Sequence, residues 1–220
     1  MIEQKFKGMC DVKSSFEKIA ESFDKTRRRA WDEVLEFSKD LEKNAVILDL
    51  GCGNARNSIA IAKNEKRKNL KFICIDISKN MIKIAMEKVK NENLMHRFAF
   101  LIANGENLPI KQGSIDAVLS IAVFHHVNKK EEKKFASEIH RILKKNGKLL
   151  LSVWKKDQIL SKEHKKLNEN ENEVITFWGP DKIPVYYRIL SKKDLEKAFE
   201  TFSKIEIWES DRNIWLKGEK

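Results

Sequence analysis

The segment Val46-Ile-Leu-Asp-Leu-Gly-Cys-Gly-Asn54 constrains the fold more than any other part of the chain. Its apolar residues, interrupted by Asp49, are typical of a buried parallel strand. Gly51 and Gly53 then allow the backbone to turn sharply and to pass close beneath a ligand, and we expect a helix from Asn54 onward. A strand, a glycine turn and a helix N-terminus together predict a nucleotide-binding element.

The residues around this turn indicate which nucleotide it binds. A three-glycine dinucleotide fingerprint requires glycine where the chain has Arg56, so the pattern disfavours NAD. Acidic residues at two predicted strands, Asp49 and Asp76, suit the ribose hydroxyls of S-adenosylmethionine, and free loop amides suit its amino-acid group. Asp76 could instead cap the next helix, a role for which Ser78 competes. Asp49 could hold the loop amides rather than touch the cofactor.

Strands and helices alternate after Ala45, which predicts an α/β fold. We expect a single domain over residues 1–220 with a central, mostly parallel seven-stranded sheet and helices on both faces. The predicted strands are 45–50, 71–76, 97–103, 115–121, 147–153, and a closing hairpin of 203–209 and 212–217. Two predicted helices begin at Asn54 and at Ser78. A third contains residues 135–143 and ends at an Asn146-Gly147 C-cap. A fourth spans residues 191–202, with Ser191 as its N-cap.

Two flanking segments are interpreted as substrate elements. Residues 1–44 predict a helical lid, with one amphipathic helix from Val12 and another from Trp31 to about Lys43. The basic elbow between them, 25–29, is either a solvated connection or a substrate clamp. Residues 155–185 begin with a polar stretch without periodicity, up to about residue 175, which indicates a flexible substrate-loop insertion.

The composition bounds the partners and the compartment. The 220 residues carry a formal charge of +11, which is compatible with a polyanionic partner or with the lysine-rich surface of a heat-adapted protein. The three cysteines, Cys10, Cys52 and Cys74, form no CxxC pair, so we expect neither a disulfide framework nor a zinc site. Without an 18-residue apolar run or a signal-peptide core, we expect a cytoplasmic protein that does not enter membranes.

Two further loops follow predicted strands and so belong to the ligand crevice. The loop from Asn104 to Pro109 should face adenine, with the Asn104 amide oxygen accepting from the exocyclic amine; the alternative is an ordinary turn. His125 and His126 end the fourth strand, where a substrate contact by His126 is favoured over a structural role. Adjacent histidines point in different directions, so no metal site is expected.

Three stretches carry a resemblance to a known family. They are Phe16–Ala20 with Phe23, Thr26-Arg27 and Trp31; the run Leu119-Ser-Ile-Ala-Val-Phe-His-His126; and Tyr186-Tyr187 before an acidic-basic helix. Together with the glycine turn, they make the chain resemble Rossmann-like class I methyltransferases that use S-adenosylmethionine. Within that class it is similar to the tRNA wobble-uridine carboxymethyl methyltransferases, which include the domain joined to an AlkB-type oxygenase in animals.

The resemblance implies methyl transfer to the carboxylate of 5-carboxymethyluridine at the tRNA wobble position, giving the methyl ester. Each implied role falls on residues of this sequence. They are catalytic Arg27 and His126; cofactor-binding Asp49, Gly51, Gly53, Asp76, Asn104, Gly105 and Ile121; and substrate-binding Arg28, His125 and Tyr187, with no metal ligand. The chain departs from the family at Ala55, where a glycine is usual, and at Asn104, where an aspartate is usual.

The resemblance also implies a heterodimer with a small zinc-binding activator subunit. The predicted strand Phe98–Ala103 is apolar on both faces and should lie at the sheet edge, where it could pair with a partner strand or be covered by the same chain. Two other functions stay open at this point. One is a methyltransferase acting on a small molecule, and the other is a catalytically silent RNA-binding protein with the same fold.

Overall fold

The computed structural model describes residues 11–167 and 172–220. The parts of the predicted lid and insertion at 1–10 and 168–171 lie outside the described residues, as does Cys10. The helices are α1 (Val12–Thr26), α2 (Asp32–Lys39), α3 (Arg56–Asn64), α4 (Lys79–Asn91), α5 (Glu132–Ile142), α6 (Lys156–Leu160) and α7 (Lys192–Ala198). The strands are β1 (Val46–Leu50), β2 (Lys71–Asp76), β3 (Phe98–Ile102), β4 (Ile115–Ile121), β5 (Leu143–Trp154), β6 (His164–Lys166), β7 (Glu173–Trp178), β8 (Ile183–Arg188), β9 (Ser203–Glu209) and β10 (Asn213–Glu219).

Seven strands form one sheet in the order β3-β2-β1-β4-β5-β10-β9, which confirms the predicted architecture. The first five pair in parallel, and β10 runs antiparallel between β5 and β9. Strand order reverses beside β1, so the connections leave a crevice beyond the carboxyl ends of β1 and β4. The predicted hairpin at the C-terminal end is β9–β10.

The apolar runs of the central strands are explained by burial on both faces of the sheet. Along β1, the side chain of Ile47 packs into a core with α2, α3 and α4, whereas Leu48 packs into the opposite core with α5 and α7. Both residues are fully buried. Helices therefore cover both faces of the sheet, as the alternation of elements predicts.

The end of α5 differs from the predicted cap at Asn146-Gly147. The helix already ends at Ile142, and Leu143 continues as strand, pairing with Ile115 of β4. Asn146 does adopt a left-handed conformation with φ 62°, but its N–H donates to the carbonyl of Lys220 inside a bulged stretch of β5. The Asn-Gly pair therefore marks a bulge in the strand, because the register shift takes up the extra residues.

The segment after β5 is more ordered than its polar sequence indicates. It contains α6 and a separate antiparallel sheet in the order β6-β7-β8. Val174 of β7 and Val185 of β8 are buried in a third core that also contains Ile19 of α1. The prediction of a flexible loop is wrong for these strands, because their apolar residues pack on α1, a partner distant in sequence.

Two further observations bear on the compositional expectations. Cys52 and Cys74 are free and buried. None of the described helices is long and apolar enough to cross a membrane.

A buried ion pair joins the small sheet to the main domain. The guanidinium of Arg188, at the end of β8, lies 2.7 Å from the Glu132 carboxylate at the start of α5 and also donates to the carbonyl of Val127. Both side chains are largely shielded from water, so each charge depends on the other for compensation.

We expect Arg188→Ala to lower the free energy of unfolding by about 3 kcal/mol, because it leaves the Glu132 carboxylate buried with only the exposed Lys129 as a cationic partner. Urea unfolding followed by circular dichroism measures the change. The matched control is Arg212→Ala, which truncates an exposed arginine and should cost less than about 0.5 kcal/mol. Equal losses in both variants would contradict a structural role for the pair.

Candidate active site

A cavity of about 700 Å³ opens at the carboxyl ends of the central strands. The glycine turn after β1, the end of β2 and the loop after β3 form one wall. Helix α1 and the small sheet β7–β8 form the other. This volume lies within the range of about 300–1,000 Å³ that is usual for small-molecule and cofactor sites.

The glycine turn is held in place by the neighbouring strand. The N–H groups of Gly51 and Cys52 both donate to the carbonyl of Ile75, at 2.7 and 3.0 Å. Gly51 has φ 72°, and a Cβ at this position would lie 2.3 Å from the side chain of Val123. Ala55 adopts φ 56°, a conformation that costs a non-glycine residue about 1–2 kcal/mol. The family's glycine is thus replaced by a strained alanine without loss of the left-handed turn.

Asp76 connects the glycine turn to the next helix. One carboxylate oxygen accepts from the N–H of Gly53 and the other from the N–H of Ser78, both at 2.9 Å. Ser78 itself caps α4 through its hydroxyl, which accepts from the N–H of Met81. Burial, aided by the nearby charge of Glu17, raises the pKa of Asp76 to about 6. Asp76 lines the cavity, and two backbone bonds leave lone pairs for ribose hydroxyls.

The loop after β3 supplies the opposite end of this wall. Asn104 and Gly105 line the cavity, as does Ile121 at the end of β4. A Cβ on Gly105 would lie 2.4 Å from the ring of Phe135, so the loop approaches α5 as closely as a glycine allows. Glu106 also lines the cavity, and its Oε2 atom is buried without a hydrogen-bond partner among the described residues.

An orphaned carboxylate oxygen beside Asn104 fits the exocyclic amine of an adenine, which needs an acceptor. Asn104 is less available than the sequence indicates, because its Oδ1 atom already faces the N–H of Glu106 at 3.4 Å. The sequence reading missed Glu106. A carboxylate two residues after the expected acceptor in a strand-end loop is the signal that could have found it.

Asp49 does not reach the cavity wall. Its carboxylate is buried under α3 and accepts from the hydroxyl of Ser58 at 2.6 Å. Burial raises the pKa of Asp49 to about 6. The structure therefore places Asp49 as a support for the helix that follows the glycine turn, and a direct cofactor contact does not agree with this position.

Helix α1 covers the cavity and is tied to its rim. The Glu17 carboxylate accepts from the N–H groups of Lys79 and Asn80 at 2.7 and 2.9 Å, so α1 caps the N-terminus of α4. The side-chain amide of Asn54, in the glycine turn, donates to the Asp24 carboxylate and to the carbonyl of Arg27. The predicted lid is therefore fixed to the turn at the start of the basic elbow.

The arginines of the basic elbow, residues 25–29, face different parts of the surface. Arg27 lines the cavity, with its guanidinium carbon 5.8 Å from the ring of Phe23 and 5.4 Å from that of Trp178. Burial lowers the pKa of Arg27, and no described carboxylate pairs with it. Arg28 instead lines a separate outer groove, and Arg56 lies between this groove and the cavity because it lines both. The Nε atom of Arg28 donates to the carbonyl of Lys25. The structure thus brings Arg27, but not Arg28, to the main cavity.

The two histidines have different positions. His126 lines the cavity and its Nδ1 atom lies 2.7 Å from the carbonyl of Tyr186, which requires the proton on Nδ1 and leaves Nε2 as an acceptor. Burial lowers the pKa of His126 to about 4, so the ring is neutral at pH 7. His125 is fully buried, and its Nδ1 atom accepts from the N–H of Trp154. Direct substrate binding by His125 does not agree with this placement.

Aromatic rings close the cavity on the side of the small sheet. Tyr187 lines the cavity and stacks between His125 and Trp154, with centroid distances of 5.2 and 5.5 Å. The ammonium of Lys162 lies over Trp154, Trp178 and Tyr187, at 4.4, 5.4 and 5.8 Å from their centroids. The sequence reading missed Trp154, Trp178 and Lys162, because they meet only when the small sheet packs on α1.

Known proteins resemble this chain in sequence and in fold. A family model described as a methyltransferase domain matches residues 48–151. The tRNA (carboxymethyluridine(34)-5-O)-methyltransferase ALKBH8 of Macaca fascicularis is 33% identical over 163 residues, which are 73% of this chain and 22% of that protein. The chain belongs to the class I S-adenosylmethionine-dependent methyltransferases.

Two further relatives align with nearly the whole length of this methyltransferase. The tRNA (carboxymethyluridine(34)-5-O)-methyltransferase of Schizosaccharomyces pombe is 28% identical over 95% of this chain and 96% of that protein. A chain from the complex between the Haloferax volcanii Trm112 methyltransferase activator and the putative methyltransferase matches with a TM-score of 0.70. That chain is 17% identical, with 95% of this chain and 97% of that chain covered, so the likeness is one of fold.

We expect the affinity of this methyltransferase for S-adenosylmethionine to fall as the pH drops through about 6. If the ribose hydroxyls donate to an ionised Asp76 carboxylate, as we propose, protonation removes that acceptor, so binding should be strong above the pKa and weak below it. Asp76→Asn should weaken binding about tenfold or more at pH 7.5 and flatten the profile. Isothermal titration between pH 5 and 7.5 measures both effects.

The matched control is Asp49→Asn, since Asp49 has a similarly raised pKa but lies away from the cavity wall. This variant should retain the pH dependence of the wild type. A profile that is flat in Asp49→Asn and unchanged in Asp76→Asn would reverse the assignment of the two carboxylates.

Proposed function

We propose that this methyltransferase transfers the methyl group of S-adenosylmethionine to the carboxylate of 5-carboxymethyluridine at the wobble position of tRNA, forming the methyl ester. The observation that carries the proposal is the Arg27 guanidinium, which lines the cavity and has no described carboxylate partner. The names of the macaque and fission yeast relatives support the same substrate. Because the chain spans 22% of the macaque protein, the activity of that whole protein supports the proposal only indirectly.

The chemistry of ester formation suits the charges in this cavity. A carboxylate is ionised at neutral pH, so the acceptor needs no general base. When bound, the cofactor supplies a methyl group on a positively charged sulfur. The task of the chain is then to orient the carboxylate oxygen and to limit its hydration. Arg27 can hold the carboxylate through a charge-assisted hydrogen bond, and the rings of Phe16, Phe23 and Trp178 exclude water from it.

His126 has a different role in this proposal from that of Arg27. Its Nδ1–H is directed at the carbonyl of Tyr186, so Nε2 accepts hydrogen bonds and cannot donate to a carboxylate. An acceptor of this kind fits the N3–H of uracil or a ribose hydroxyl. His126 would therefore orient the nucleoside, while Arg27 orients the reacting carboxylate.

The sheet edge supports the proposed activator partner. β3 is the terminal strand of the main sheet, and its Leu101 and Ile102 side chains are 37% and 51% exposed. Met95 and Met86 are also exposed. An unpaired strand edge beside exposed apolar side chains favours pairing with a strand of another protein. The Haloferax volcanii chain of similar fold forms a complex with the Trm112 activator, and we propose a small zinc-binding activator of that kind here.

We expect methyl transfer from labelled S-adenosylmethionine to tRNA whose wobble esters have first been hydrolysed by mild alkali to the free acid. Nucleoside mass spectrometry should identify the methyl ester, and a second alkaline treatment should release the label, because an ester is labile to base whereas a methyl group on carbon or nitrogen is stable. The assay is run with and without the candidate activator.

Arg27→Met should lower kcat/KM for tRNA about tenfold to a hundredfold, the loss expected for one charge-assisted hydrogen bond. The matched control Lys25→Met removes an exposed charge two residues before Arg27 and should leave kcat/KM within about twofold. Absence of methyl transfer to acid-form tRNA, with cofactor binding intact, would favour a small-molecule acceptor. Absence of cofactor binding with and without the activator would favour the silent RNA-binding protein.

We expect Ile102→Glu to weaken binding of the activator at least tenfold, because it places a charge in an apolar contact. The affinity for S-adenosylmethionine of the isolated chain should not change. Surface plasmon resonance with an immobilised activator measures the effect. The control Thr201→Glu adds the same charge at an exposed position before β9, at the opposite edge of the sheet. If Ile102→Glu binds the activator like the wild type, the partner does not use the β3 edge.

A further inference from the structure

We propose that the outer groove beside the cavity binds phosphates that flank the target nucleotide, so that the RNA chain crosses the groove while one base enters the cavity. The inference rests on the proposed function and adds a docking surface to it. The groove has a volume of about 480 Å³, and residues of the basic elbow, of α3 and of α4 line it. Its charged lining residues are Arg28, Arg56, Lys63, Lys88 and Glu92.

One face of α3 forms a wall of this groove. Arg56, Ala60 and Lys63 follow one another at intervals of about one helical turn, so their side chains project from the same face. From Arg56 to Lys63 the helix rises by about 10 Å, at about 1.5 Å per residue. A stacked strand rises by about 3.4 Å per nucleotide, so this wall can follow roughly two or three nucleotides. The groove therefore suits a stretch of a polyanion better than a single small anion.

Two of the groove's four cations have carboxylate partners. Lys63 lies 2.8 Å from Glu92, and Lys88 pairs with Asp24. The Lys63 and Glu92 side chains are both about half exposed, and an ion pair of this kind contributes little to stability. Lys63 can therefore turn from Glu92 to a phosphate at small cost.

The other two cations, Arg28 and Arg56, are unpaired. Neither guanidinium lies within ion-pairing distance of a carboxylate in the part of the chain that the structure describes. Burial, aided by the charge of Arg27, lowers the pKa of Arg56 to about 10, so its guanidinium is still charged at pH 7. A guanidinium binds phosphate oxygens through parallel, charge-assisted hydrogen bonds, so two unpaired arginines in one groove favour a phosphate ligand.

The basic elbow connects the groove to the cavity. Arg27 lines the cavity, and the next residue, Arg28, lines the groove. Arg56 lines both, and its Nε atom donates to the carbonyl of Arg29 at 3.0 Å. The guanidinium carbons of Arg27 and Arg56 each lie 5.8 Å from the ring centroid of Phe23. A nucleotide whose carboxylate is bound by Arg27 is thus followed by cations along which its chain can continue. Phosphate contacts of this kind position an RNA without reading its sequence.

The test measures how the binding of RNA depends on salt. A labelled anticodon stem-loop that carries 5-carboxymethyluridine is titrated with the full chain at several salt concentrations, with S-adenosylhomocysteine present. Arg28→Met should weaken binding about tenfold at low salt. It should also reduce the slope of log affinity against log salt concentration by about 0.7, the value for one phosphate of a single strand. The affinity for S-adenosylhomocysteine should stay within about twofold, and KM for tRNA should rise more than kcat falls.

Three further variants separate the groove from net charge and from folding. Arg67→Met removes an exposed arginine just beyond α3 and should keep the wild-type slope. Arg28→Lys keeps the charge and should retain most of the affinity. Asn64→Lys adds a cation to the groove, so it should tighten binding and steepen the slope, which a damaged fold would not do.

The inference is overturned if the wild type binds the stem-loop weakly and independently of salt, or if Arg28→Met and Arg67→Met behave alike. It also fails if Arg28→Met loses as much affinity for polyglutamate as for RNA, because the groove is then a general anion surface. If tRNA is methylated with an unchanged KM in Arg28→Met, the groove is wrong and the proposed function stands. If the groove variants change RNA binding as expected but no ester forms, the groove stands and the wobble substrate is wrong.

Discussion

The rest of the site depends on the buried carboxylate of Asp76. A charge at the end of an apolar strand is costly, and the chain offsets that cost with the N–H groups of Gly53 and Ser78. These two bonds fix the glycine turn and the start of α4 relative to each other. The turn and α4 also hold α1, through Asn54 and Glu17, so the position of α1 depends on the same carboxylate. The two walls of the cavity are therefore linked through the same few hydrogen bonds.

The two walls of the cavity differ in their chemistry. The wall formed by the main sheet is polar and is lined by the glycine turn, Asp76 and Glu106, whose Oε2 atom has no partner among the described residues. The wall formed by α1 and the small sheet is mainly aromatic, and its Arg27 guanidinium has no carboxylate partner among the described residues. Such a division suits a reaction between a cationic methyl donor and an anionic acceptor, since each ligand meets groups of complementary chemistry.

The sequence predicted the main sheet well because its central strands, such as β1 and β4, are buried on both faces and therefore have a continuous apolar pattern. The position of the glycine turn, Asp76 and the Asn104 loop at one cavity wall followed from local rules, since all three lie at strand ends. The small sheet could not be predicted in this way. Its polar segment becomes ordered only through Val174 and Val185 packing on α1, which is a contact between distant parts of the chain. Trp178, which lines the cavity, was missed for the same reason.

The departures from the family pattern have physical explanations of different kinds. Ala55 adopts the left-handed conformation at a cost of about 1–2 kcal/mol, which a core of this size can sustain. Asn104 cannot accept as strongly as an aspartate and already faces a backbone N–H, but the unpartnered oxygen of Glu106 lies in the same loop. A carboxylate is thus retained near the expected adenine position, shifted by two residues. The loss of an acidic residue from a motif therefore does not remove its chemistry when the same loop supplies another.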